Sequence, residues 1–180
     1  MAERIMWEGV ETLEDLLAEG LDVLFVGYNP NPYAVEHGHY YARRANRFWE
    51  DLQASGFVPR LLRGPGEDRE ILRHGLGLTD VIKRPTPTID GLGAAEFRRG
   101  FRRLDGLLVR YQPRFVCFNG LGLHERYRRM GDPPAGIHVR AVPSTSPRNN
   151  GLRAERLRAF TELKQEVDAM RGPRLDIDSN

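Results

Sequence analysis

The chain has 180 residues, of which 40% are hydrophobic and 29% are charged, and its formal net charge is +2. This length suits one domain with a buried core, and the composition excludes a mainly disordered or membrane-embedded chain. The small net charge excludes a protein that coats nucleic acid by charge alone.

The types of basic residue and the number of cysteines further restrict the classes of protein to which the chain could belong. Only Lys83 and Lys164 are lysines, so 25 of the 27 basic side chains are arginine. Arginine favours bidentate contacts with phosphate, although an arginine-rich codon usage would give the same count. The single cysteine, Cys117, lies in an apolar run, where we expect a small buried side chain. No apolar stretch reaches the ~18 residues of a membrane span and no secretory pattern opens the chain, so we expect a cytoplasmic protein.

The hydrophobic pattern predicts helices alternating with strands. In chain order it predicts a helix over 12–20, a strand over 22–27, a long loop over 28–44, a helix over 45–55, a helical turn near 68–73, a strand over 76–82, a loop over 83–93, a helix over 94–111, a strand over 115–118, a helix over 121–130, a strand over 137–142 and a helix over 154–170. We expect a single domain over residues 1–171 and a flexible tail over 172–180.

This alternation predicts an α/β fold, a three-layer α/β/α sandwich with a short, mostly parallel four-stranded central sheet. In such sheets ligands bind beyond the carboxyl ends of the strands. The loops that follow the four strands should therefore meet at one edge. They would bring together the polar residues Asn29, Asp80, Asn119 and Ser144.

The first two predicted strands each lead to a polar residue whose presence can be explained either by local structure or by function. Asn29 stands in Asn29-Pro-Asn-Pro32, a repeat typical of turns, and Asp80 could simply cap the chain after its strand. Both residues nevertheless place a polar side chain at the edge where a ligand would bind. The nearby His37-Gly-His39 lacks a carboxylate or cysteine complement, so we predict loop residues and no metal site.

The last strand leads into Pro143-Ser-Thr-Ser-Pro-Arg-Asn-Asn150. Such a stretch is typical of a helix cap, and hydroxyls with main-chain N–H groups at a helix start are equally suited to phosphate. Arg148 would then face the anion. The chain has no G-x-S-x-G elbow, no Walker lysine loop and no G-x-G-x-x-G after a strand, which excludes the common hydrolase, nucleoside triphosphatase and dinucleotide-binding classes.

Several short stretches occur in a fixed order between residues 21 and 150. They are Gly27-Tyr-Asn-Pro30 with Tyr41 twelve positions past Asn29, Ala45-Asn-Arg-Phe-Trp49, Gly77-Leu-Thr-Asp-Val-Ile-Lys-Arg-Pro-Thr86, Tyr111-Gln-Pro-Arg114, Phe118-Asn-Gly120 and Pro143-Ser-Thr-Ser-Pro-Arg148. Together they resemble the motifs of the mismatch-specific uracil/thymine-DNA glycosylases. The resemblance implies hydrolysis of the glycosidic bond of a base flipped out of duplex DNA, which a mismatch makes easier to extrude.

The resemblance also implies roles for individual residues. Asn29 matches the asparagine that orients the attacking water, and Tyr41 matches the aromatic residue that stacks on the extruded pyrimidine. Main-chain groups around Tyr28 and Tyr41 would read the polar edge of the base. Arg148 falls where the family places the wedge that fills the gap in the duplex. The remaining DNA contacts are expected from Asn46, Lys83, Ser144, Thr145 and Ser146.

Three positions depart from the family pattern. Asn31 replaces a glycine, so we expect a changed pocket wall. Asp80 stands where some relatives carry asparagine or lysine, and we propose it as a second catalytic residue. Ala34 lies near the expected position of the pyrimidine C5 edge, where a small side chain would leave room for a methyl group and so for thymine.

These expectations define the partners. The substrate is double-stranded DNA with a mismatched or damaged base, met at the nucleoid, and we expect a monomer with no cofactor, no membrane and no obligate protein partner. The alternatives are a glycosylase for deaminated purines, an inactive DNA-binding module of the same fold, and an α/β enzyme for a free nucleoside or nucleotide.

Overall fold

The computed structural model describes residues 4–64 and 66–171. Its strands are β1 (Arg4–Trp7), β2 (Val10–Leu13), β3 (Val23–Gly27), β4 (Leu76–Asp80), β5 (Phe115–Asn119) and β6 (His138–Val142). Its α-helices are α1 (Pro32–His37), α2 (Phe48–Ala54), α3 (Ala94–Tyr111), α4 (Leu121–Arg128) and α5 (Arg153–Arg171). Short 3-10 helices occupy Asp68–His74, Ile89–Gly91 and Pro147–Leu152.

The central sheet has four parallel strands in the order β4-β3-β5-β6. β3, β4 and β5 are buried along their whole length, as expected for parallel strands covered on both faces, whereas β6 at the edge is half-buried. The predicted fold class is therefore confirmed.

Successive residues along each strand point to opposite faces of the sheet and pack into two separate hydrophobic cores. Phe25 and Cys117 face the layer of α2 and α5, where Phe25 packs edge-on against Phe48 with ring centroids 5.4 Å apart. Val26 and Phe118 face the opposite layer of α3 and α4. This period of two places a helical layer on each side of the sheet, which leaves the strand ends as the open edge.

The beginning of the chain differs from the prediction. No helix forms over 12–20: residues 12 and 13 end β2, which forms an antiparallel hairpin with β1 that turns at Glu8 and Gly9, both with positive φ. Leu16 then pairs its main chain with Leu78, through hydrogen bonds of 2.9 and 3.0 Å. The apolar spacing was typical of a helix, but main-chain pairing with β4 decides the conformation.

The long loop predicted over 28–44 contains α1. Asn31 caps this helix by accepting a hydrogen bond of 3.0 Å from the Tyr33 N–H, and Gly38 ends it at φ 56°. Because α1 has only six residues, these cap residues were not recognised as the two ends of a helix. The predicted tail over 172–180 lies outside the described residues, and within the described ranges no helix is long and apolar enough to span a bilayer.

Connectivity determines where a ligand can enter. The chain runs from β3 to β4 on one side and then crosses by α3 to β5 on the other. The loops after β3 and β5 therefore diverge from neighbouring strands, which is the point in open α/β sheets where ligands bind.

Candidate active site

A cavity of about 610 Å³ opens at the carboxyl edge of the sheet. Its lining includes Asn29, Asp80, Asn119 and Ser144, one polar residue from the end of each strand. This confirms that the four strand ends meet at one edge. The volume is in the range of small-molecule sites and accommodates one nucleotide.

The amide of Asn29 is held in a defined orientation. Its Nδ2 donates to the Arg84 carbonyl oxygen at 2.9 Å and to Thr86 Oγ1 at 2.7 Å. Thr86 Oγ1 donates its own hydrogen to the Thr88 carbonyl at 2.6 Å, so it must accept from Asn29. Both amide hydrogens are thus engaged, and Oδ1 is the atom that can accept a hydrogen bond from a water or a ligand.

Asp80 ends β4 beside Gly27, its register partner in β3. A Cβ on Gly27 would lie 2.3 Å from Asp80 Oδ1 and 3.1 Å from the Tyr41 hydroxyl, so only glycine leaves room for both side chains. Asp80 is 3% exposed. Burial raises the pKa of its carboxyl to about 7, with Lys83 and Arg103 opposing the rise and Asp15 adding to it. Near neutral pH the carboxyl therefore exists in both protonation states.

Tyr41 supplies an aromatic wall. One side of its ring packs on Phe48 with centroids 4.2 Å apart and planes 30° apart, so the opposite side is the one available to the cavity. Burial and the nearby Asp80 raise the pKa of Tyr41 well above its ordinary value, which keeps the hydroxyl neutral. Its φ of 55° is unusual for a non-glycine residue and indicates a conformation that the surroundings impose.

A cluster of buried side chains holds the main chain just before Tyr41. The Tyr40 N–H donates to Asp68 Oδ2 at 2.6 Å, and Trp49 Nε1 donates to the Tyr40 carbonyl at 2.7 Å. His39 stacks on Trp49 with centroids 5.2 Å apart, and its Nδ1 lies 2.9 Å from Asp68 Oδ1. We name Asp68, Trp49 and His39 the aromatic clamp. His37 instead contacts the Tyr33 carbonyl, so the two histidines contact different parts of the chain.

Tyr28 forms another part of the wall, and glycines make room for it. Its ring meets Phe97 edge-on at 6.2 Å. A Cβ on Gly120, which has a φ of 136°, would lie 3.0 Å from Tyr28 Cε2, and a Cβ on Gly122 would lie 3.0 Å from the Tyr28 hydroxyl oxygen. The glycines after β5 thus admit the Tyr28 side chain to the site.

The loop after β6 is attached to the sheet at Thr145. Asn119 Nδ2 donates to Thr145 Oγ1 at 2.8 Å, and the Thr145 N–H donates to Asn119 Oδ1 at 2.9 Å. The Ser144 hydroxyl accepts from the Ser146 N–H at 3.2 Å. Arg148 is exposed at the rim. Thr145 is therefore occupied in holding the loop, while Ser144, Ser146 and Arg148 border the opening.

Arg156 supports this loop from below. It is fully buried, its Nε donates to Asp51 Oδ2 at 2.5 Å, and its Nη1 donates to the Asn149 carbonyl at 3.1 Å. The loop thus rests on an ion pair between α2 and α5.

Most of the predicted site residues line this one cavity. They are Tyr28, Asn29, Asn31, Tyr41, Asn46, Asp80, Ser144, Thr145, Ser146 and Arg148. Asn31 adopts an ordinary extended φ of −81° as the cap of α1, so glycine-like backbone freedom is not needed there. Asn46 Oδ1 accepts from the Phe48 N–H at 3.0 Å, at the start of α2.

Two predicted residues lie elsewhere. Ala34 packs in the core formed with α2 and α5 and is absent from the cavity lining, so its side chain does not border the space for a base. The side chain of Lys83 is 1% exposed and bonds to Asp15 Oδ1 at 2.8 Å, so it does not face DNA. Both residues are close in sequence to residues that line the cavity, but their own side chains point into the interior of the fold.

Sequence reasoning missed several contributors. Thr86 orients Asn29, and Gly27 makes room for Asp80. The exposed apolar side chains of Ile89, Leu121 and Leu152 also border the cavity. Exposed apolar groups around an opening favour contact with a ligand, but single leucines in a sequence carry no such signal.

Fold and site together define an α/β protein whose cavity sets an oriented amide and a buried carboxylate beside an aromatic ring. A comparison with known protein families identifies one: the model of the uracil DNA glycosylase superfamily matches residues 14–168. The chain therefore belongs to the uracil DNA glycosylase superfamily, and is a glycosylase, an N-glycosyl hydrolase, with DNA as its substrate.

A solved structure shares the fold. It is a solution NMR structure from Methanosarcina acetivorans, provisionally described as a uracil DNA glycosylase. The two chains are 23% identical with a TM-score of 0.60, and the match covers 85% of this chain and 97% of the other.

Proposed function

We propose that the protein is a monofunctional glycosylase that removes uracil flipped out of mismatched duplex DNA, as in the mismatch-specific uracil/thymine-DNA glycosylases. The observation that carries this proposal is the oriented amide of Asn29 in the same cavity as the buried Asp80. An extruded pyrimidine would lie against Tyr41, with its sugar toward Asn29 and Asp80.

The reaction needs a placed water more than a strong nucleophile. As the bond from C1′ to N1 breaks, its electron pair stays on the uracil and the sugar becomes oxocarbenium-like. Water held by Asn29 Oδ1 forms the new bond to C1′ and passes its proton to the ionised Asp80. The uracil anion takes up one proton and Asp80 gives up the proton it accepted, so the products are uracil and an abasic site. Because the carboxyl pKa is near 7, its charged form accepts the proton and also stabilises the cationic sugar.

The rim would hold the distorted duplex. Ser144 and Ser146 border the opening as phosphate contacts, and the exposed Arg148 would fill the gap beside the unpaired base. A mismatch lowers the cost of extrusion by a few kcal/mol, so mismatched uracil should be preferred to paired uracil. Because Ala34 is packed in the core, thymine excision has no support from this position.

The test is base release from labelled duplexes in EDTA. Duplexes carrying G·U, A·U, G·T and G·hypoxanthine, with single-stranded uracil as a further arm, are incubated with the protein and cleaved with alkali. We expect strand scission to be fastest on G·U. Faster release of hypoxanthine would favour the purine alternative, and absence of scission on all substrates with intact duplex binding would favour an inactive binding module.

A further inference from the structure

Three charged side chains from distant parts of the chain meet behind Asp80. Asp15 comes from the segment between β2 and β3, Lys83 from the loop after β4, and Arg103 from α3. Lys83 Nζ lies 2.8 Å from Asp15 Oδ1, and Arg103 Nη1 lies 2.5 Å from Asp15 Oδ2. We name Asp15, Lys83 and Arg103 the charge cluster.

The charge cluster is attached directly to the end of β4. Arg103 Nη2 donates to the main-chain carbonyl of Asp80 and to Thr79 Oγ1, and Thr79 Oγ1 donates to Asp15 Oδ1 at 2.7 Å. The loop that carries Lys83 is itself fixed, because the Val81 N–H donates to the Gly27 carbonyl at 2.9 Å. The cluster and the carboxyl group of Asp80 therefore cannot move apart without breaking main-chain contacts.

Stability alone does not explain such an arrangement. Desolvating charged groups is costly, and apolar side chains of similar volume often stabilise a fold as well or better. Lys83 is 1% exposed at its side chain, and Asp15 and Arg103 are 15% and 17% exposed. With two cations and one anion, the cluster presents one net positive charge to the buried carboxyl of Asp80.

We infer that Asp15, Lys83 and Arg103 are positioning residues that set the charge state of Asp80 for the reaction. This inference rests on the proposed function. The two cations stabilise the Asp80 carboxylate, and Asp15 stabilises the neutral acid. The loop after α1 also faces Asp80, but its Tyr40 and Tyr41 stay neutral because burial raises the pKa of both hydroxyls.

The opposing charges have a use in proton transfer. Burial alone would keep Asp80 protonated and unable to accept a proton from water. Unopposed cations would hold it ionised but too weakly basic. A balance keeps the carboxyl near the working pH, where general base catalysis is most effective. Removing a cation and removing the anion should therefore have opposite effects.

The experiment compares Lys83→Met with Asp15→Asn in the full chain. The titration midpoint of the Asp80 carboxyl is followed by carbon-detected NMR, and single-turnover uracil release is followed from pH 5 to pH 9. We expect Lys83→Met to raise both midpoints by about one pH unit and to slow release about tenfold below the midpoint. Asp15→Asn should lower both midpoints by a similar amount.

Lys164→Met is the matched control, because Lys164 pairs with Asp168 on the surface of α5 and is the other lysine of the chain. It should leave both midpoints unchanged. If Lys83→Met does not fold, Arg103→Gln replaces it and should shift the midpoints in the same direction.

Two results would overturn the inference: folded variants of Lys83 and Asp15 with unchanged midpoints, or shifts of the same sign in both. If the native protein releases no uracil, the proposed function fails, but the NMR titration still decides whether the cluster controls the Asp80 carboxyl.

Discussion

The loops after β3 and β6 border the same cavity, but the protein holds them in different ways. After β3, hydrogen bonds to Arg84 and Thr86 fix the amide of Asn29, and the aromatic clamp fixes the main chain at Tyr40. After β6, Thr145 is tied to Asn119, while Arg148 is exposed. The reacting groups thus sit on the rigid side, and the groups expected to meet DNA sit on the exposed side.

This difference follows from what each side would have to do. A water and a sugar carbon must be placed within a fraction of an ångström, which requires side chains fixed by packing and hydrogen bonds. A duplex is bound through many weak phosphate contacts, which tolerate movement of single side chains. Substitutions on the two sides should therefore affect different measurements.

The largest effect is expected from Asn29→Ala. Removing the oriented amide should slow single-turnover uracil release by about 10³-fold, because the attacking water loses its acceptor. Duplex affinity measured by fluorescence anisotropy should change by less than about threefold. Asn150→Ala, at an exposed asparagine after β6, is the control and should retain the native rate. A large loss of affinity in Asn29→Ala would contradict the assignment of the two sides.

Asp80→Asn should slow release by ~10²-fold or more and abolish the rise in rate around pH 7. The same variant should be more stable than the native protein above pH 7. The carboxyl titrates near 3.8 when unfolded and near 7 when folded, so its contribution to stability falls as the pH rises from about 4 to about 7. The shift of about 3 units corresponds to about 4 kcal/mol as an upper estimate.

Thermal unfolding at pH 4 and pH 8 measures this prediction. The gain in Tm for Asp80→Asn should appear at pH 8 and vanish at pH 4. A less stable variant at pH 8 would mean that the carboxylate serves the fold instead of the reaction.

A smaller effect is expected from Trp49→Phe in the aromatic clamp. The ring packing is largely kept, but the Tyr40 carbonyl loses its buried donor, which should cost about 1–3 kcal/mol of stability. Release should slow about tenfold because Tyr41 is less well placed, and duplex affinity should stay close to native. Trp7→Phe, on the half-exposed β1, is the matched control and should change neither quantity, because a phenylalanine ring keeps the packing of residue 7 on Arg103. Equal rates in the two variants would show that the clamp does not position Tyr41.

The smallest effect is expected from Arg148→Ala. Duplex affinity should fall by about threefold to tenfold, and the slope of log affinity against log salt should decrease by about one. The rate for bound substrate should change much less than in Asn29→Ala, because Arg148 is expected to contact the duplex and not the reacting atoms. Arg110→Ala, on the far end of α3, is the control for loss of one arginine. A rate loss as large as that of Asn29→Ala would place Arg148 on the reacting side.

Local signals in the sequence were enough for much of the fold. The helix predicted over 94–111 matches α3 in both its bounds, because apolar residues recur at helical spacing and Pro113 follows its end. The convergence of Asn29 and Asp80 at one edge could be predicted because parallel strands share a carboxyl edge. The extended course of the chain at Leu16 could not be predicted, because Leu16 pairs with Leu78, 62 positions along the chain.

What the sequence by itself determined was the order of elements, the buried strands and the polar residues at their ends, since these depend on spacing and on local backbone preferences. Only the tertiary structure decided which of those residues reach the cavity. Lys83 turned inward because Asp15, 68 positions earlier, gives it a buried partner, and Asn29 acquired its orientation from Thr86, 57 positions later. Such contacts depend on packing between distant segments, which no local pattern specifies.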